Sequence, residues 1–167
     1  MPGFDPESAL HALWAKSDRD GGSDVSLWEH SLAAGLAASV LLHGPLLPVA
    51  ARLAQEIGAD TEEATGFSAA MVALHDLGKA TAAFQAQWAP GATRAAEAGL
   101  PMSPSPPGSR PPPHGFVSAG EIARDLERRG ARRAVARGVA RAIGAHHGTF
   151  PHDLPPADDL GDPEGRW

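Results

Sequence analysis

The chain has no cysteine. Disulfides are therefore excluded, and so are thiolate metal sites, which removes the usual structural zinc site. Tyrosine is also absent, and aromatic residues make up 5% of a chain that is 43% hydrophobic. Alanine supplies much of that difference, which favours closely packed helices over a core of large rings. No basic-then-apolar leader and no long uncharged apolar span occur in the 167 residues, so a soluble, cytoplasmic protein is expected. The formal net charge of -6 argues against broad non-specific nucleic-acid binding and leaves room for a local basic groove. What is present is enough length for one domain with a real core, expected over residues 1–167, and eight histidines.

The spacing of apolar residues predicts an all-α chain. Asp5, Pro6 and Glu7 read as a helix start, with Leu10, Leu13 and Trp14 on one face, His11 off it, and a polar loop over 17–24. Ser26 with Glu29 reads as a capping box opening a second helix that stops at Gly44 and Pro45, and Leu27, His30, Ala34, Ala37 and Leu41 share one side of it. A third helix carries Val49, Leu53 and Ile57 and is closed by Gly58. Asp60 with Glu63 caps a fourth, whose buried row is expected to be Phe67, Met71 and Leu74. Phe84 and Trp88 fit a short helix ended by Pro90 and Gly91. Residues 90–113 read as an exposed, mobile, proline-rich loop, and 148–167 as an irregular tail. Between them lie a helix opened by His114, with Val117, Ile122 and Leu126, and a last helix with Val135, Val139 and Ile143. Its other side carries Arg133, Arg137 and Arg141, a row that suits either a solvated face or a phosphate backbone.

Two places along the chain carry chemistry. The fourth helix delivers His75 and Asp76, followed by Gly78 and Lys79. An imidazole nitrogen and a carboxylate with two oxygens suit metal ligation. A histidine near a helix C-terminus is also explained by the dipole. The last helix delivers His146 and His147, released by Gly148. His114 stands at a helix start, where its positive form is disfavoured and a neutral, metal-binding ring fits better. His30 shares the apolar side of its helix, where a histidine is either hydrogen-bonded or a ligand.

The ordered set of His30, His75 with Asp76, His114, and His146 with His147 resembles the HD superfamily of metal-dependent phosphohydrolases. It resembles most the HD nuclease domain of the CRISPR-associated helicase-nuclease of type I systems. Residues 13–17, reading LWAKS, look like that family's N-terminal signature, and Glu29 with His30 matches its first histidine. Residues 73–85, reading ALHDLGKATAAFQ, are similar to its core motif. His114 with Ser118 and residues 145–151, reading AHHGTFP, complete the match.

The resemblance implies an all-α helical bundle around one or two divalent transition metal ions. His30, His75 and Asp76 would hold one, and Asp76, His114, His146 and His147 the other. A donor set of nitrogens and carboxylates suits iron, manganese, cobalt or nickel, with zinc also accommodated. The implied activity is metal-dependent endonucleolytic hydrolysis of single-stranded DNA in antiviral defence. The implied partners are a helicase domain or subunit and an RNA-guided surveillance complex. Asp76 and Lys79 would be catalytic, with Lys79 and Ser118 contacting substrate phosphate. Such sites are closed by a later aspartate. Asp153, Asp158, Asp159 and Asp162 lie in the tail, and none matches it. A domain truncated before its last helices is therefore expected, with weakened activity and with the site of His146 and His147 the better formed. An HD nucleotide or cyclic-nucleotide phosphohydrolase and a non-catalytic docking module are the alternatives.

Overall fold

The computed structural model describes residues 5–18, 24–102 and 112–150. Eight α-helices and one two-stranded antiparallel sheet occur among the described residues, so the all-α expectation holds. The chain divides into two compact units, one of residues 1–28 and 75–167 and the other of residues 29–74.

In the first unit α1 (Pro6–Ala12) starts where the sequence says it should. The Asp5 carboxylate accepts from the backbone N–H groups of Glu7 and Ser8, and Pro6 fills the first turn. The helix then ends at Ala12, and Trp14 lies in a strand instead of on the helical face. Leu10 is exposed, and the buried positions of α1 are Ala9 and Ala12. Strand β1 (Trp14–Ser17) pairs with β2 (Asp24–Ser26), so both ends of the expected polar loop are extended and paired. The register slips between Trp14 and Lys16. A slip of this kind re-aims the backbone group at the bulge, and here it concerns the carbonyl of Ala15. Leu13, Ala15, Leu27 and Ala95 form a small core, with Ala80, Leu100 and Met102 packed against it.

A short helix α5 (Ala82–Gln85) follows, then α6 (Ala89–Glu97). The latter corrects the expectation that Pro90 and Gly91 end a helix and open a loop. Pro90 sits in the first turn of α6, where a proline's missing N–H has no intrahelical partner to lose. Trp88 is the residue before α6, so it is not in one helix with Phe84. Both rings nevertheless pack on Trp14, with centroids at 4.7 Å for Phe84 and 5.7 Å for Trp88. Arg94 of α6 donates to the Ala12 carbonyl and pairs with Asp24, which ties α6 to α1 and β2. Residues 103–111 of the proline-rich segment lie outside the described residues, as do residues 151–167, with their four candidate aspartates.

Helices α7 (His114–Arg128) and α8 (Arg133–Gly144) form an antiparallel hairpin turned at Gly130, whose φ of 92° suits glycine. The buried line of α8 is Ala136, Ala140 and Gly144, whereas Val135 is exposed. Small residues let the two backbones approach, and larger apolar side chains fall to the sides of the contact.

The second unit shows the same rule. It contains α2 (Leu27–His43) from Glu29 onward, α3 (Leu47–Ile57) and α4 (Thr61–Ala73). The buried residues of α3 are Ala50 and Ala54, while Val49 and Ile57 are exposed. In α4 they are Ala64 and Thr65, so Phe67 and Leu74 are not the expected buried row. At Gly35 of α2 a side chain would come within 3.0 Å of the Ala73 methyl of α4. The predicted capping box is formed: Asp60 accepts from the Glu63 N–H, and the Glu63 carboxylate accepts from the Asp60 N–H. Gly58 closes α3 in the left-handed region, with φ 70°.

The Thr65 hydroxyl is buried and has no hydrogen-bond partner among the described residues. Thr65→Val keeps the shape and removes the unsatisfied group, so it is expected to stabilise the chain by about 1 kcal/mol, read as a higher thermal midpoint. A second expectation concerns pH. His43 Nε2 lies 3.0 Å from a Glu62 carboxylate oxygen and Nδ1 2.8 Å from the Ser39 carbonyl. The bond to Glu62 and then the bond to Ser39 raise the His43 pKa above its ordinary 6.5. The contribution is present below the unfolded pKa and is lost as pH rises through the folded one. Glu62→Gln is expected to return the His43 titration, followed by NMR, towards its ordinary value.

Candidate metal centre

The site is built on the turn that follows α4. That helix ends at Ala73, and Leu74 begins the turn. His75 and Asp76 lie there, before a 3₁₀ turn of Leu77–Ala80. Asp76 is buried at 3% exposure, which requires that its charge be met from every side. Lys79 Nζ lies 2.8 Å and His75 Nε2 3.2 Å from Asp76 Oδ2. His114 Nε2 lies 3.1 Å and His146 Nε2 3.3 Å from Oδ1. Burial pushes the Asp76 carboxyl up, but hydrogen bonds from His114, His75 and Lys79 outweigh it and hold the group far below the usual carboxylate range.

Close backbone contact makes this convergence possible. Gly78 is buried against the first turn of α7, and a Cβ there would overlap the His114 carbonyl oxygen. The Gly78 N–H donates to Ser118 Oγ at 2.8 Å, and Ser118 Oγ donates to the His114 carbonyl at 3.0 Å. At Gly115 a Cβ would lie 2.9 Å from the Gly144 carbonyl and 3.2 Å from the His146 ring. Beyond α8, a 3₁₀ turn of Ala145–His147 carries the paired histidines and ends at Gly148, φ 82°. The ring centroids of His114, His146 and His147 lie 4.2–5.6 Å apart.

Tautomers can be read from the acceptors. His146 Nδ1 lies 2.8 Å from the Ile143 carbonyl, which can only accept, so Nδ1 carries the hydrogen. In the neutral ring Nε2 then presents a lone pair towards Asp76 Oδ1. A histidine that ligates a metal characteristically donates its other N–H to a carbonyl in this way. His114 Nε2 faces both Asp76 Oδ1 and, at 2.9 Å, His147 Nε2. A single proton on His114 Nε2 serves the carboxylate and leaves the His147 nitrogen lone pair facing an N–H that is already engaged. The His147 ring is pushed towards its neutral form, first by burial and then by repulsion from His146 and His114. Several electron-rich atoms thus converge with too few protons to join them. Ligand atoms of Asp76, His114, His146 and His147 all lie within 4.8 Å of one another. This donor set fits a divalent transition metal.

The geometry redirects two expected substrate contacts. Lys79 is buried at 8% exposure, its Nζ engaged with Asp76 and, at 3.2 Å, with the Ala15 carbonyl at the strand slip. The phosphate contact expected of it has no support here, because burial turns the ammonium inward to neutralise the carboxylate. Ser118 is fully buried and joins Gly78 to His114, which leaves it no face towards a substrate. His30 lies in the first turn of α2, in the other compact unit.

The part played by Gln85 is not legible in the sequence. Gln85 is fully buried. Its Oε1 accepts from the Trp14 N–H at 3.1 Å, and its Nε2 donates to the carbonyls of Trp14 at 2.9 Å and Lys79 at 2.7 Å. Trp14 Nε1 donates in turn to the Gln85 carbonyl at 3.1 Å. One amide side chain thus clamps β1 to the turn that carries Lys79. A buried glutamine fits only where such partners exist, and an isolated glutamine in a sequence does not announce them.

The family model for the Cas3 HD domain matches residues 14–164. The chain belongs to this family. The HD domain is 37% identical over 145 residues to the CRISPR-associated endonuclease/helicase Cas3 of Thermus thermophilus, covering 87% of this chain and 15% of that protein. It is also similar to a solved crystal structure of a CRISPR-associated protein, with a TM-score of 0.70 at 27% identity, covering 88% of this chain and 17% of that one. The chain therefore spans about one sixth of the length of these relatives. In this HD domain the matched region takes in β1, the His75 and Asp76 turn and the paired histidines.

Gly78→Ala tests the packing beneath the site. The clash is with backbone, so relief requires the turn or α7 to move, and the cost is expected at the upper end of about 1–3 kcal/mol in a denaturant melt. Ser118→Ala, which removes a hydrogen bond but adds no atom, is expected to cost less in the same measurement.

Proposed function

We propose that this HD domain is a metal-dependent endonuclease that hydrolyses phosphodiester bonds in single-stranded DNA, in the antiviral defence of type I CRISPR systems. The observation that carries the reading is the convergence of His114, His146 and His147 on buried Asp76 in a chain of the Cas3 HD-domain family. The relative's description as an endonuclease/helicase supports the reaction class. Asp76, His114, His146 and His147 would hold a manganese, iron, cobalt or nickel ion, which would supply a nucleophile from water at neutral pH and offset the charge of the phosphate.

The residues of the chain prepare that site. Lys79 and His75 hold Asp76 Oδ2, which leaves Oδ1 aimed at His114 and His146. The anion is kept by those bonds, so the ligand carboxylate does not protonate near neutrality. Ile143 fixes His146 with Nε2 available. His147, held neutral, adds a further nitrogen. Lys79 acts by positioning and neutralising Asp76, not by reaching the substrate. The sequence match adds His30 beside His75 and Asp76 for a second ion, a part of the reading that rests on the motif alone. The proposed partners are a helicase region or subunit and an RNA-guided complex, in the cytoplasm.

Digestion of circular single-stranded DNA tests the reading, with manganese, cobalt and nickel supplied in turn. Linear and shorter products are expected only with metal. Asp76→Asn, which keeps the shape but weakens the ligand, and His146→Ala are each expected to abolish cutting. Cutting that persists in excess chelator, or in Asp76→Asn, would sink the proposal.

A further inference from the structure

We infer that Phe84 is a positioning residue of the metal centre: its ring sets the plane of His114 and holds the Lys79 ammonium against Asp76. The inference rests on the metal reading of the site and not on the nucleic acid that the site would cut. The Phe84 side chain is all carbon, so it offers no ligand atom and no proton to a reaction. It acts only through the groups that it touches, and these include two members of the site. The His114 ring meets it edge to face, with centroids 5.5 Å apart and planes at 76°. Lys79 Nζ stands over it, 5.5 Å from the centroid. Trp14 lies against it, with centroids 4.7 Å apart and planes at 32°.

Each contact supplies something that the hydrogen bonds of the site leave open. His114 reaches Asp76 Oδ1 and His147 through Nε2. Bonds through one atom fix that atom and leave the plane of an imidazole to its neighbours. The contact with Phe84 sets that plane. The Lys79 ammonium has three hydrogens, and Asp76 Oδ2 and the Ala15 carbonyl engage it from two directions. The Phe84 face draws the same charge from another, within the roughly 6 Å over which a ring attracts an ammonium. An apolar ring beside an ion pair also keeps out water that would weaken it.

The ring is itself held from two sides. Thr81 Oγ1 donates to the Gly78 carbonyl at 2.9 Å and accepts from the Phe84 N–H, so the Phe84 backbone is tied to the turn beneath the site. Trp14 is buried and backs the ring from β1. Phe84 thus joins a strand, a turn and the first residue of α7. Leucine would fill much of the same space but has no face for the ammonium and no plane to set the imidazole. Tyrosine would keep both.

The test is cobalt(II) binding to the metal-free full chain, followed by visible absorption. Phe84→Leu is expected to bind cobalt roughly tenfold more weakly, a loss typical of residues that orient a ligand. Phe84→Tyr is expected to bind it as the wild type does. Trifluorophenylalanine in place of Phe84 keeps the shape and withdraws electrons from the ring face. A loss of about two- to fivefold is expected there, the worth of one exposed contact between an ammonium and a ring. Ile122→Val, at a buried position about two turns beyond His114 on α7, is expected to lower the thermal midpoint and leave the cobalt affinity unchanged.

Three results would overturn the inference alone: wild-type affinity in Phe84→Leu, a loss in Phe84→Tyr as large as in Phe84→Leu, or an equal loss in Ile122→Val. The last two would show that the site responds to packing or to stability in general and not to the ring. The fluorinated ring decides the matter if Phe84→Leu does not fold, since an unchanged affinity there overturns the inference as well. A wild-type chain that takes up no cobalt is a different failure. It removes the metal reading, and this inference with it.

Discussion

A carboxylate buried at 3% exposure is the constraint around which the first unit is arranged. Asp76 is expensive to bury alone, and removing one partner of a buried pair costs roughly 3–5 kcal/mol. Its charge is met by Lys79, His75 and His114, and His146 turns Nε2 towards it, so that the turn after α4, the start of α7 and the end of α8 all converge on it. Each element that contributes must therefore end near the same point. The glycines at 78 and 115 make this compatible with close-packed backbone, since a side chain at either place would meet the neighbouring carbonyl. Stability and ligand geometry depend here on the same contacts.

Support for the carboxylate extends outward in layers. Lys79 holds Asp76 Oδ2 and is itself held by the Ala15 carbonyl, presented at a slip in the β1–β2 register. Gln85 clamps the backbone of Lys79 to that of Trp14. Trp14 is wedged between Phe84 and Trp88. The small sheet, which contributes no ligand, thereby fixes the lysine that fixes the aspartate. This explains in physical terms why the segment around Trp14 accompanies a candidate metal site that lies far along the chain. Supporting residues of this kind commonly matter almost as much as ligands, because a ligand side chain is only as well placed as its neighbours.

Helix limits were legible because their signals are local. Asp5, Asp60 with Glu63, Gly58 and Gly148 each act through hydrogen bonds or backbone conformations within a few residues. Buried faces were much less legible. In α3, α4 and α8 the contacts run through Ala50, Ala54, Ala64, Ala136 and Ala140, with larger apolar residues turned aside. A hydrophobic ranking favours valine, isoleucine and phenylalanine for the core. Close helix approach favours the methyl group, and in an alanine-rich chain approach decides. The strands were missed for a similar reason: Trp14–Ser17 and Asp24–Ser26 are too short to show alternation.

By itself the sequence determined the candidate ligand types and their order, because metal chemistry demands particular atoms and the chain places them at recognisable helix ends. The absence of cysteine alone restricted the donors to nitrogen and oxygen. Only the tertiary structure decided which atom faces which. The resemblance makes Lys79 and Ser118 substrate contacts, but an ammonium and a hydroxyl serve as well as internal partners. Burial chose the second, because both groups lie where water and substrate cannot compete for them. The role of Gln85 was likewise set by three backbone partners that converge only once β1 and the His75 turn have come together. Chemical identity is carried along the chain, whereas direction and partnership belong to the space that the folded backbone encloses.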